Sequence, residues 1–150
     1  MTNNVYKKVN YKIEEFKDFS SGTTIFPNNV KPINTFGDVY MTLTYKPVSF
    51  RSIIIVKAIG SMSSLVGSLF VSGALFVNSE LYSKGAQTVN APVTGMTKSV
   101  IFYSKITNFT GDELNLYARF GGNNGGATFN QRLGGHDTSS SIKVYEYMIL

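Results

Sequence analysis

The chain has 150 residues, no cysteine, one histidine and a formal net charge of +5. A chain of that length suits one domain that buries roughly two thirds of its unfolded surface. The lack of cysteine excludes a disulfide framework, a thiolate metal site and a cysteine nucleophile. The positive charge invites an anionic partner, but the basic residues are scattered along the chain. No strip of Lys and Arg interleaved with aromatics marks a nucleic-acid surface, so no nucleic-acid partner is expected.

The first residues, MTNNVYKKVNYKIEEF, contain no apolar h-region and no small-residue cleavage site, so no secretory signal is expected. They alternate weakly at Val9, Tyr11 and Ile13 and break at Phe26-Pro27-Asn28-Asn29. This reads as an N-terminal arm or edge strand over residues 1–30, attached to a β domain over residues 31–150. Asp38 to Lys46 is the clearest strand, with Val39, Met41, Leu43 and Tyr45 on the core side and Tyr40, Thr42 and Thr44 outward. Arg51 to Ile59 is a continuous apolar run between Pro47 and Gly60, which predicts a strand covered on both faces.

Ser68 to Val77 alternates again, with Leu69, Val71, Leu75 and Val77 inward and Gly73 marking a bulge or a close neighbour. The longest apolar-leaning run, Leu65 to Val77, has thirteen residues broken by serine and glycine, short of the roughly 20 needed to cross a bilayer. A soluble protein with no membrane insertion is expected. Val100, Phe102, Ser104 and Ile106 form the next inward set, then Leu114, Leu116, Ala118 and Phe120, and Ser141 to Met148 closes the chain as a strand. About eight strands with no helical stripe predict an all-β fold, a two-sheet antiparallel sandwich or jelly roll with a short N-terminal arm.

The catalytic inventory is thin. His136, Asp137 and Ser139 to Ser141 hold the residue types of a triad, but adjacent residues of an extended chain point to opposite faces. The pairs Glu14-Glu15 and Asp112-Glu113 diverge for the same reason. No catalytic residue, metal site or cofactor is expected. Gly121, Gly122, Gly125 and Gly126 lead into the strand-like ATFNQRL rather than a helix, which argues against a phosphate cradle. With Gly134 and Gly135 they read as turn glycines that supply positive φ.

Two outward tyrosines stand apart: Tyr103 beside Lys105, and Tyr117 beside Asn115 and Arg119. A flat ring flanked by hydrogen-bonding groups suits a sugar face or a subunit interface. The candidate ligand-binding set is therefore Tyr103, Tyr117 and Arg119, with Asn123, Asn124, His136 and Asp137 at the turn tips.

The C-terminal third carries a pattern: Arg119, Gly121 and Gly122, then Thr128, Phe129 and Asn130, then Arg132, Gly134 and Gly135, then Ser140, Ser141, Ile142, Val144 and Glu146. It resembles the C-terminal jelly-roll domain of phage and other viral tail-fibre and receptor-binding proteins, and the Gly111-Asp112 turn is similar to that of the tumour-necrosis-factor and complement-C1q jelly rolls. The resemblance implies a non-enzymatic virion-surface attachment protein, usually a homotrimer, whose exposed loops or inter-subunit grooves engage a host-surface glycan or protein, with a glycan through the loops as the leading expectation. Residues 1–30 would dock other virion proteins. Two alternatives accompany this reading: a capsid decoration, head-fibre or minor capsid protein with purely structural contacts, and a polysaccharide-active enzyme.

Overall fold

A computed structural model describes residues 3–64, 68–93, 96–107, 109–130 and 139–150. Ten strands are present among them: β1 (Tyr6–Phe16), β2 (Ser20–Ser21), β3 (Asp38–Tyr45), β4 (Ile53–Ser64), β5 (Phe70–Val77), β6 (Gly85–Asn90), β7 (Thr97–Ile106), β8 (Leu114–Gly122), β9 (Ala127–Phe129) and β10 (Ser140–Ile149). Every pairing is antiparallel. One sheet runs β1-β10-β4-β7, with β9 and then β2 extending it where β10 leaves the edge of β4. The other runs β3-β8-β5-β6.

Leaving out the two short strands β2 and β9 and counting the remaining eight in chain order, the sheets read 1-8-3-6 and 2-7-4-5. That is the double Greek key of a jelly roll, so the expected all-β sandwich is what forms, with ten strands in place of about eight. β1 is one of those eight strands and pairs with β10 along its length. β1 stands at the edge of its sheet, so residues 6–16 form an edge strand of the sandwich.

The core lies between the sheets. The larger sheet contributes Ile54, Val56, Ala58, Val100, Phe102, Ile142 and Val144, and the smaller one Met41, Leu43, Val71, Leu75, Leu116, Ala118 and Phe120, all buried. Alternation delivers these residues, since every second side chain of a strand faces the partner sheet. Phe120 is the best-fitted of them. A Cβ at Gly60 on β4 would come within 2.5 Å of its ring, and one at Gly73 on β5 would meet the same ring and Phe102. Gly73 therefore marks a close neighbour, and the β5 register runs through it without a bulge.

Three inward assignments from the alternation need correction. A register shift between Val39 and Met41 leaves Val39 43% exposed and turns Tyr40 inward, where its ring stacks on Phe129 at 5.0 Å. Leu69 precedes β5 and is exposed, because Asn123 Oδ1 accepts from the N–H groups of Leu69 and Phe70 and holds that segment out of strand phase. β4 has one buried face; its outward residues Ile53, Ile55, Lys57 and Ile59 are only half-buried.

Two polar locks fix the strand ends. Asn130, 1% exposed and at φ 55°, donates from Nδ2 to the carbonyl of Phe16 at 2.8 Å and accepts from Ser140 Oγ at 2.6 Å. Ser140 Oγ in turn accepts from the Ser61 N–H. The other lock is Glu146 on β10, whose side chain is fully buried. Its carboxylate accepts from Tyr45 Oη at 2.7 Å and from the N–H groups of Val48 at 2.9 Å and Ser49 at 3.2 Å. A buried charge is tolerated only with such a donor set.

Burial alone would push the Glu146 carboxyl up, but the donors around it outweigh burial and hold it below the usual carboxylate range. Ser52 Oγ contributes to this field without a well-formed hydrogen bond to any described residue, so Val48, Tyr45 and Ser49 supply the directional bonds. Burial, and then the Glu146 carboxylate, raise the Tyr45 phenol well above its ordinary value.

Candidate functional site

The sandwich has two outer faces. Over the smaller sheet, residues 22–37 run as a strap that is hydrogen-bonded along its course. Gly22 N–H donates to Ala127 O, Phe26 N–H to Gly122 O and Gly37 N–H to Ile25 O, while Thr24 donates from both its N–H and its hydroxyl to the Asp38 carboxylate. Phe26 is 1% exposed and packs with Phe36, Ala74, Phe76 and Tyr117 in a cluster of its own. The strap thus covers this face over β5 and the end of β8, while Thr42 and Thr44 on β3 and Asn115 on β8 stay exposed.

Two of the candidate residues are consumed there. The Tyr117 ring stacks on Phe76 at 5.6 Å. Arg119 donates from Nε to Phe36 O at 2.8 Å and from Nη2 to Gly37 O at 2.9 Å, which ties the strap to β8. The turn after β8 is committed in a similar way: Asn123 is held by β5 as described, and the Asn124 N–H donates to Ser68 Oγ. His136, Asp137, Gly134 and Gly135 lie outside the described residues.

None of Gly121, Gly122, Gly125 and Gly126 adopts a left-handed φ; Gly37 and Gly111 do. Gly122 and Gly125 bridge across a turn at Asn123-Asn124, so the chain does turn here, without positive φ, and the glycines also serve close approach. A Cβ on Gly121 would lie 2.7 Å from Thr24 O, and one on Gly126 would run into Gly22 O, both on the strap or at its start. These glycines let the strap lie flat on β8 and β9.

The outer face of the larger sheet is different: no described segment crosses it. Strand register places its side chains in rows. Tyr11, Tyr145, Ile55 and Lys105 form one row across β1, β10, β4 and β7; Ile13, Lys143, Lys57 and Tyr103 form the next. Lys8, Tyr147 and Ile53 flank them on one side, and Glu15, Ser141, Ile59 and Ile101 on the other. Tyr103 is 62% exposed and Tyr11 is 59% exposed. Tyr6, Ile53, Ile55, Lys105 and Tyr147 line a shallow, mostly apolar depression of about 340 Å³ at one end.

Within this face the ammonium groups sit against rings: Lys57 Nζ lies 5.4 Å from the centre of Tyr103, and Lys8 Nζ lies 5.2 Å from Tyr11 and 5.9 Å from Tyr145. Of the described candidate residues, Tyr103 lies on this open face and Asn124 is exposed at the turn after β8; the structure does not bring Tyr103 together with Tyr117, Arg119 or Asn123. Sequence reading missed its partners Tyr11, Tyr145, Tyr147, Lys57 and Lys143. Their outward phase was readable strand by strand; that they share one face follows from the order β1-β10-β4-β7.

Among the described residues no group of three or more His, Asp or Glu side chains is arranged to hold a metal ion, and no helix is long and apolar enough to cross a membrane. No family model matches the chain, and no curated protein matches it. Among solved structures it is similar to dimeric latent PorU from Porphyromonas gingivalis, at a TM-score of 0.41 and 11% identity over 95% of this chain and 13% of that one. A likeness at that distance carries nothing about function.

Proposed function

We propose that the protein is a non-enzymatic, oligomeric virion-surface attachment module, and that it engages a host-surface glycan through the outer face of the β1-β10-β4-β7 sheet. The observation that carries this reading is the uncovered array of tyrosines and lysines on that face, with Tyr103 and Tyr11 standing out from it. An amphipathic ring offers apolar area to a sugar face while neighbouring polar groups supply hydrogen bonds. The virion setting, the homotrimer and docking to other virion proteins through residues 1–30 rest on the sequence resemblance. The jelly-roll strand order is compatible with them.

The site differs from the loop site that the resemblance implies. Asn123 and Arg119 are engaged within the fold, and this supports the sheet face bearing Tyr103 as the site we propose. A glycan array probed with the wild type and with Tyr103→Ala tests this: saccharide hits that vanish in the variant are expected. An empty array alongside binding to purified capsids replaces the reading with a capsid decoration or head-fibre role, and cleavage of a host polysaccharide replaces it with an enzyme. Light scattering at micromolar concentration checks the trimer separately, and a monomer there removes the oligomeric part.

A further inference from the structure

We infer that the open face is built for an acidic polysaccharide, one carrying carboxylate or sulfate groups, rather than for a neutral glycan; this rests on the attachment reading above. Lys57 on β4 and Lys143 on β10 are direct cross-strand partners. Lys105 stands on β7 opposite Ile55, one step diagonally from Lys57, and Lys8 lies two rows away on β1. Like charges placed directly opposite each other destabilise a sheet. On this face the sole carboxylate among the described residues is Glu15, at the far row, and it lies 3.8 Å from Lys17.

None of Lys8, Lys57, Lys105 and Lys143 has an ion-pair partner among the described residues. Lys57 and Lys8 rest on tyrosine rings instead, a weaker substitute for a carboxylate. An anionic group seated over Lys57 and Lys143 supplies the missing countercharge and frees the Tyr103 ring to meet the sugar. A neutral glycan needs acceptors as well as donors for its hydroxyls, and this face offers almost none beyond tyrosine and serine hydroxyls. A second copy of the same face is disfavoured, because an isologous contact brings like lysines together. Single-stranded nucleic acid needs a groove that tracks its backbone and a series of free ring faces, whereas here lysine ammonium groups lie against the rings of Tyr11, Tyr145 and Tyr103.

The test measures binding of the full chain to dextran sulfate, carboxymethyl dextran and unmodified dextran, at about 50 and about 200 mM salt. Lys57→Gln/Lys143→Gln is compared with Lys31→Gln/Lys46→Gln, which removes the same charge from elsewhere. The charged dextrans should bind, more weakly at the higher salt; the on-face pair should lose roughly tenfold or more and the off-face pair under about twofold. Equal losses in the two variants overturn the inference, since total charge then suffices. Neutral saccharide hits that need Tyr103 and ignore Lys57→Gln/Lys143→Gln overturn it while leaving the attachment reading in place. Failure to bind any saccharide overturns that reading too, and tighter binding of oligothymidylate than of any dextran reassigns the face to nucleic acid.

Discussion

Both outer faces of the sandwich carry tyrosines and basic residues on the outward phase of their strands, and they end in opposite states. On the smaller sheet Tyr117 and Arg119 lie against the strap of residues 22–37 and satisfy its rings and carbonyls. On the larger sheet Tyr103 and Lys57 meet each other and solvent. The chemistry of the residues is the same; what differs is whether the chain returns across them. A surface aromatic beside a basic residue is thus a site or a seam according to the path of a segment that lies some eighty residues away in the sequence.

The largest test of that contrast is to unseat the strap. Phe26 is fully buried between the strap and the smaller sheet, so Phe26→Ala should cost about 3–5 kcal/mol, read as a fall in the urea midpoint. Tyr103→Ala on the open face should stay within about 0.5 kcal/mol of wild type. Similar losses for the two variants would mean that the faces are not closed and open in the way described.

Glu146 measures how firmly the two faces are held relative to each other, because β10 carries the open face while its inward carboxylate pins the turn from β3 to β4. Glu146→Gln keeps the shape but weakens the acceptor for three donors, at about 2–3 kcal/mol near neutral pH. The folded carboxyl titrates below its ordinary value of 4.5. Its stabilisation is therefore complete above pH 4.5 and is lost as pH falls through the lower folded value. Wild type and variant should converge in stability on acidification; a gap that stays constant from neutral pH into acid would remove the charge from the explanation.

A smaller effect is expected at Arg119. Arg119→Gln gives up two donated bonds to the strap, about 1–2 kcal/mol. The loss should appear locally, as faster amide hydrogen exchange at Gly37, whose N–H donates to Ile25 O. Saccharide binding should be unchanged, which separates the seam from the site.

The strands were legible because alternation alone selects Met41, Leu43 and Tyr45 on β3, or Val100, Phe102 and Ile106 on β7, for the core. The bulge at Val39 was not, since it is a mismatch between β3 and β8 that neither strand shows by itself. Gly121 and Gly126 were readable as special beside a turn, but a second reason was not: close approach to Thr24 and Gly22 needs glycine as firmly as a left-handed φ does. Glu146 left a usable signal, for it shares the phase of Ile142 and Val144; an acid on an inward phase announces a buried donor set. Asn130, Ser140 and Glu146, which helped to carry the resemblance, are locks of the fold. Lys57 and Lys143 could each be placed outward, but their adjacency is a matter of register between strands 86 residues apart in the chain.

That adjacency gives a small predicted change in stability, and one that bears directly on the open face. Lys143→Glu places a carboxylate beside Lys57 on the neighbouring strand, exchanging a repulsive cross-strand pair for an attractive one, a gain of about 0.5–1 kcal/mol. The gain should shrink as salt rises, because a half-exposed pair is screened. The same variant should lose binding to charged dextrans, since the new carboxylate occupies the place of the ligand's own. A core residue altered for the worse loses stability and binding together, whereas stability gained with binding lost is the signature of a surface whose charges are arranged for an absent partner. Were Lys143→Glu to destabilise the fold, or to leave charged-dextran binding intact, the lysine pair would be incidental and the open face would have to be explained by its rings alone.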